Sequence, residues 1–167
     1  HNSLRIKKKN FKKVGNKQLW QHLIYNLKGE KVFVDTDSKI ILNKCKKYFP
    51  WVTAYARDKN FIRLENSKNA SPTLGMIRNF LIKYSKNDND VIVTTHVTSP
   101  FLKIKTIKDA AKKLKNYDSV AAVTKDYNFA WLENKKKKFI PINFNPEIIT
   151  KTQNLSPIIQ SNGAFFI

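Results

Sequence analysis

The chain has 167 residues, 41% hydrophobic and 26% charged, the size and composition of one globular domain and not of a disordered tail. Its 32 basic and 12 acidic residues give a formal net charge of +20, and only four of the basic residues are arginine (Arg5, Arg57, Arg63, Arg78). The 4 glycines and 6 prolines exclude collagen-like and low-complexity architectures, the lone Cys45 excludes a disulfide framework or cysteine-cluster zinc site, and no apolar run approaches the ~20 residues that span a bilayer.

In chain order, residues 32–35 (VFVD) form a short apolar run ending at an acid and read as a buried strand. Residues 38–48 carry apolar positions at Ile40, Ile41 and Cys45, with Ser38 placed to cap a helix. Residues 51–56 follow Pro50 as a β-rich run, and 71–84 set Leu74, Ile77, Leu81 and Tyr84 at helical spacing. Residues 90–95 (DVIVTT) read as the clearest core strand. Residues 106–114 read as a lysine-decorated helix with Ile107, Ala110, Ala111 and Leu114 on one stripe, and 119–123 and 163–167 as two further strands. This alternation predicts an α/β fold with a mainly parallel sheet. In such folds ligands sit outside the carboxyl ends of the strands, which directs attention to Asp35-Thr36-Asp37 and to Thr95 through Pro100.

Residues 129–144 break the alternation. Lys135 to Lys138 stand among Phe129, Trp131 and Phe139, the pattern of a hairpin arm that either offers a partner surface or folds back onto its own domain. His22 falls in the first helix and reads as a packed or surface residue. His96 stands at a strand's carboxyl end without a Cys, Asp or second His at zinc-ligand spacing. No G-x-S-x-G elbow or Walker loop occurs. The opening stretch is basic with no apolar run behind it, so no signal peptide is read there, and the expected compartment is a reducing cytoplasm. No strand precedes the opening loop and the last residue lies inside an apolar strand, so the chain reads as the centre of a longer one.

The charge has two readings. Lys, Asn and Ile share A/T-rich codons, so compositional drift produces such a bias, and arginine, the residue favoured for base readout and bidentate phosphate clamping, is scarce. Selection for an anionic partner produces it as well: nucleic acid, an anionic membrane or a phosphorylated small molecule.

A loop of Ser, Arg, Lys and Asn leading to a helix can bind phosphates through side-chain charge and free backbone N–H groups. The order Ser3-Leu4-Arg5-Ile6-Lys7-Lys8-Lys9-Asn10 resembles the G-S-x-R-x-x-x-K-N loop of the CMP-sialic acid synthetases (acylneuraminate cytidylyltransferases). Further pieces follow in that family's order. Val32-Phe33-Val34-Asp35-Thr36-Asp37 is similar to its V-V-S-T-D strand, and Ala56-Arg57-Asp58 sits where its R-P follows the third strand. Thr98-Ser99-Pro100-Phe101-Leu102-Lys103 resembles its Q-P-T-S-P-L-R. Gln153-Asn154-Leu155-Ser156-Pro157 and Asn162-Gly163-Ala164-Phe165-Phe166-Ile167 resemble its R-x-Q-x-L-P and N-G-A-I-Y-I.

The resemblance covers nearly the whole chain and carries expectations with it. The fold it implies is a three-layer Rossmann-like α/β sandwich with a mainly parallel sheet, of the nucleotide-diphospho-sugar transferase type. Residues 1–127 and 156–167 would form the nucleotide-binding domain, and 128–155 a small protruding arm for homodimerisation. The reaction it implies joins CTP to a nine-carbon 2-keto sugar acid (a sialic acid-like nonulosonate), giving CMP-sugar and pyrophosphate, with magnesium bridging the phosphates. Lys9 and Arg5 would act in catalysis. Ser3, Lys9, Asn10 and Arg57 would bind the nucleotide, with Ser71 or Thr73 at the base. His96, Ser99, Lys103, Gln153, Asn162 and Phe166 would line the sugar pocket. The family's metal carboxylates follow its final strand, so no metal ligand is expected within these residues.

Several positions depart from the family pattern. The family's first strand and leading arginine would fall before His1, Lys103 stands for an Arg, Thr152 for the Arg before Gln153 (with Lys151 beside it), and His96 for a Gln. The departures imply that these residues do not turn over alone, and they leave a catalytically degenerate, structural member as one alternative. A basic nucleic-acid-binding domain is the other. Its lysines are spread over almost every element, and no RNP, zinc-finger or basic-zipper pattern supports it. No membrane partner is expected.

Overall fold

A computed structural model describes residues 6–65, 67, 71–85, 87–148 and 150–167. After a 3-10 turn at Lys9–Phe11, β1 (Lys13–Val14) and β2 (Lys17–Gln18) form a minimal hairpin that turns at Gly15, whose φ of +61° favours glycine. It runs directly into α1 (Leu19–Asn26), where the Gln18 backbone N–H donates to Gln21 Oε1 at 2.8 Å, the return half of a capping box.

β3 (Val32–Thr36) and β4 (Val52–Ala56) pair in parallel, in register from Val32–Val52 to Thr36–Ala56. The crossover between them is α2 (Lys39–Tyr48). Ser38 caps it as expected, its Oγ accepting from the Ile41 N–H at 3.4 Å, and Lys46 and Lys47 complement the dipole in the last turn. Then follow α3 (Lys59–Glu65), α4 (Thr73–Tyr84), β5 (Thr94–Thr95) and α5 (Ile104–Ala111), which tightens into a 3-10 turn at Lys112–Lys115. β6 (Ala121–Asp126) precedes a hairpin of β7 (Trp131–Glu133) and β8 (Phe139–Pro141), and β9 (Ile158–Phe166) closes the order. β9 lies between β5 and β6, antiparallel to both.

Alternation along β3 and β4 gives their sheet two apolar faces. Val34, Val52 and Ala54 pack against a buried cluster of Trp20 and Ile24 from α1, Ile41 and Cys45 from α2, and Phe49, joined by Phe11, Trp51 and Val97. Phe49 is wholly buried and meets Trp20, Tyr25 and Trp51 edge-on, at centroid distances of 5.6, 5.1 and 6.2 Å. Burial pushes the Cys45 thiol up to about 11, so it behaves here as a small apolar side chain. On the opposite face Phe33 meets Phe80 and Tyr84 of α4 at 5.0 and 4.8 Å, and Tyr55 meets Tyr84 at 5.3 Å.

The hairpin of β7 and β8 turns on Asn134, whose Oδ1 accepts the N–H groups of Lys136 (2.9 Å) and Lys138 (3.0 Å), while Lys137 takes a φ of 59°. At the root, Asn143 accepts from the Ala130 N–H at 3.0 Å and donates to the carbonyls of Asn128 and Ser156, each at 3.0 Å. Phe144 stacks edge-on against Phe129 and Trp131, both at 4.9 Å.

Three expectations need correction. The sheet is not mainly parallel: among the described residues only β3 and β4 pair in parallel, and every other ladder is antiparallel. The run at 90–95 is a strand only at Thr94–Thr95. Its beginning belongs to a turn, in which Asp90 Oδ2 accepts from Ser85 Oγ (3.2 Å) and the Asn87 N–H (3.3 Å), and its ladder with β9 runs only from Thr94–Phe166 to Thr95–Phe165. The last strand is longer than expected, because the polar residues Gln160 to Asn162 conceal its first half. Among the described residues no helix is long and apolar enough to cross a membrane.

Phe49→Ala is expected to lower stability by about 3–5 kcal/mol, because the aromatic cluster around it cannot collapse into the space left. A fall in the urea midpoint with an unchanged m-value is the expected result, and an unaltered midpoint would contradict the central place given to this ring.

Candidate active site

Two groups of loops carry the expected site residues. Lys9 and Asn10 lie half-buried on the 3-10 turn, which follows Lys8 at a φ of 54° and is closed by the Phe11 N–H donating to the Lys8 carbonyl at 2.9 Å. Phe11 inserts into the main cluster, and Gln18 Nε2 donates to its carbonyl at 3.2 Å. Gln18 Oε1 in turn accepts from Trp20 Nε1 (3.1 Å) and Lys44 Nζ (2.9 Å). The turn is therefore tied through Gln18 to α1 and α2. Ser3 and Arg5 lie outside the described residues.

At the carboxyl end of the parallel pair, the Arg57 N–H extends the ladder to the Thr36 carbonyl at 2.9 Å. The Arg57 guanidinium donates through Nε to Asp35 Oδ1 at 2.7 Å and through Nη1 to Glu65 Oε2, and Nη2 donates to the Asp35 carbonyl at 3.5 Å. Burial alone would lower the Arg57 pKa, but the hydrogen bond and charge of Asp35, with those of Glu65, raise it. Tyr55 is pushed up to about 12, by burial first and then by the neighbouring Asp35 carboxylate. This fork fixes the guanidinium plane and, among the described residues, leaves Nη2 with the longest of its hydrogen bonds. Ser71 and Thr73, both exposed at the start of α4, share a hydroxyl hydrogen bond of 2.8 Å, so the structure leaves them equivalent.

The second group gathers around β5 and β9. Ladder register shifts between Ala121 and Val123, and β9 bulges through Asn162 and Gly163, with Gly163 at a φ of +66°. Asn162 Oδ1 accepts from the Ala164 N–H at 3.0 Å, and Thr95 Oγ1 donates to the Ala164 carbonyl at 2.6 Å. A Cβ at position 163 would stand 3.9 Å from the His96 ring, so the histidine lies against the bulge. Ser99 follows in a turn, its N–H donating to the His96 carbonyl at 3.0 Å. Phe166, 41% exposed, sits opposite Thr94 and Ala121. Lys103 is exposed at the start of α5, and Gln153 is exposed on the 3-10 turn Thr152–Asn154. Among the described residues neither side chain forms a hydrogen bond or ion pair with the His96 group.

No cluster of three or more His, Cys, Asp or Glu side chains able to hold a metal occurs among the described residues, and Asp35 is engaged by Arg57. The site is thus one of cations and hydrogen-bond donors around two irregular loops, suited to anionic, hydroxyl-rich ligands.

Sequence reading identified Arg57 but not its partners. Asp35 stands out in the sequence as part of a ligand-facing strand end and not as a partner of Arg57, Glu65 is separated from Arg57 by most of α3, and Tyr55 reads as a strand residue. Arg57→Lys is expected to cost about 1–2 kcal/mol, because an ammonium cannot span both carboxylates. A urea midpoint equal to that of the parent protein would show that the fork contributes nothing.

No curated protein matches the chain. The Cytidylyltransferase family model matches it over residues 1–161, from the opening loop to the first residues of β9, and the chain belongs to this family.

Proposed function

We propose that the protein transfers a cytidylyl group from CTP to a nine-carbon 2-keto sugar acid of the sialic acid kind. The anomeric hydroxyl oxygen of the sugar bonds to the α-phosphorus of CTP, the bond from that phosphorus to the β-phosphate oxygen breaks, pyrophosphate leaves, and the hydroxyl proton is lost. Family membership supports the CTP half of this reading. The observation that carries the sugar half is the placement of His96 against the Asn162-Gly163 bulge, where two motifs distant in sequence meet at one strand end.

In this reading Lys9 neutralises charge on the triphosphate, with Ser3 and Arg5 beside it, and Asn10 holds ribose or phosphate. Arg57 presents Nη2 toward the cytosine, and Ser71 or Thr73 supplies a further contact to the base. His96, Ser99, Gln153, Asn162 and Phe166 shape the sugar pocket, and Lys103 offers a point charge to the sugar carboxylate in place of an arginine fork. Magnesium belongs to the reading as the family's metal, with ligands outside the described residues.

The reading extends to architecture. Residues 1–127 and 156–167 form the nucleotide-binding unit, a three-layer Rossmann-like sandwich, and 128–155 an arm that pairs with a second copy. The arm's exposed apolar residues support this: Trp131 (53%) and Phe139 (69%) on one side of the hairpin, Leu132 (58%) and Ile140 (49%) on the other. A two-stranded hairpin apolar on both sides does not stand alone in water.

The test is pyrophosphate release by the full-length protein with magnesium, CTP and a panel of nine-carbon keto acids, with ATP, GTP and UTP as controls. Release confined to CTP is expected, and Lys9→Ala should lower kcat/KM about a hundredfold. A folded protein that releases none across the panel would sink the sugar assignment. For the arm, Trp131→Lys is expected to convert a dimer to a monomer by analytical ultracentrifugation, and a dimer that persists would remove the arm from the interface.

A further inference from the structure

Residues 96–102 pass from β5 toward α5 as two consecutive turns, Ser99 N–H to the His96 carbonyl at 3.0 Å and Leu102 N–H to the Ser99 carbonyl at 3.2 Å. Such a segment has no ladder to fix it, and its other carbonyls need donors. Two of them find one in the same side chain. Asn26, the last residue of α1, donates through Nδ2 to the Pro100 carbonyl at 3.0 Å and to the Leu102 carbonyl at 3.2 Å. The two acceptors use both N–H bonds of the amide and so dictate its orientation.

One turn earlier on the same face of α1, His22 reaches both loop groups. Its Nε2 donates to the Val14 carbonyl at 2.8 Å, in the hairpin that follows the Lys9–Phe11 turn, and its ring meets Phe101 edge-on at 6.0 Å. α1 is itself locked by Trp20, Leu23 and Ile24, all buried. A rigid helix thus holds the phosphate-side hairpin and the His96–Lys103 segment on one face.

We propose that Asn26 is a positioning residue for the sugar-binding loop, setting the height of residues 100–102 on α1 and hence the placement of His96, Ser99 and Lys103 relative to the nucleotide. It touches no substrate in this role. The inference rests on the reading of 96–103 as the sugar loop.

The test is Asn26→Asp in the full-length protein. The substitution keeps the shape of the side chain but replaces two donors by a carboxylate facing two carbonyl oxygens. KM for the sugar acid should rise about tenfold, the equivalent of two lost hydrogen bonds, while KM for CTP moves less than about twofold. Hydrogen exchange at the Ser99 and Leu102 amides should quicken, with the β3–β4 ladder unchanged. Asn26→Ala, which removes the donors without adding charge, should do the same to a smaller extent and guards against misfolding of the aspartate variant. Equal shifts of both KM values, no shift of either, or unaltered exchange at residues 99 and 102 would overturn the proposal. If the unsubstituted protein itself releases no pyrophosphate, the sugar reading fails and with it the purpose of the clamp, while the exchange rates still decide whether the clamp exists.

Discussion

The burial of Phe49 against Trp20 is the constraint on which the rest of the molecule depends. Phe49 follows α2, Trp20 opens α1, and their edge-on contact sets α1 and α2 on the same face of the β3–β4 pair. Each ring removes more apolar area from water than any aliphatic neighbour. Once α1 is fixed, so are the parts without regular structure of their own. Phe11 brings the Lys9–Phe11 turn into the cluster, and Val97 brings in the segment after β5. Gln18 adds polar ties to the first, and Asn26 to the second. The two loop groups of the site therefore share a reference frame, although no sheet connects them directly among the described residues.

Electrostatics act on this frame unevenly. Only 12 acids face 32 bases, and several of the acids are committed pairwise. Asp109 sits between Lys105 and Lys112 on α5, and their hydrogen bonds draw its carboxyl down to about 2. Glu30 pairs with Lys108. Such exposed pairs add little to stability. The fork of Asp35 and Glu65 on Arg57 differs in kind, because the guanidinium and Asp35 are mostly shielded from water, with side chains 15% and 20% exposed. Arg57 is held by two carboxylates at the end of the parallel pair, while most of the positive charge elsewhere comes from lysine. An abundance of lysine gives a general attraction for anions, and one immobilised arginine can give direction.

The sequence displayed the elements whose cause is local. The β3–α2–β4 unit was legible because alternation, a serine cap and a helical stripe all lie within a short window. The run at 90–95 misled for the complementary reason: VIV has the composition of a buried strand, but a strand exists only where a neighbouring edge accepts it, and β9 meets it only at Thr94–Thr95. The parallel-sheet expectation failed likewise, since alternation of strand and helix does not reveal that β9 inserts antiparallel between β5 and β6. Within the site, the loop residues were legible as motifs, whereas their supports were not. Glu65 on Arg57 and Asn26 on the Pro100 and Leu102 carbonyls are contacts made by residue types that are ordinary on any helix surface.

Asn26 and Asn143 show how such supports work. Each places its amide where a chain leaves regular structure. Asn26 caps two carbonyls of the 100–102 turn, and Asn143 joins the Asn128 and Ser156 carbonyls to the Ala130 N–H at the root of the hairpin. The backbone groups involved cannot find ladder partners, and leaving them unpaired would cost more than a hydrogen bond ordinarily contributes. An asparagine satisfies them with a short side chain that loses little rotamer freedom, so an irregular loop gains a defined position without becoming a strand or a helix. Gly163 solves the same problem within a strand by other means: lacking a Cβ, it takes a left-handed conformation at the β9 bulge beside His96, and the Asn162 side chain accepts the Ala164 N–H there.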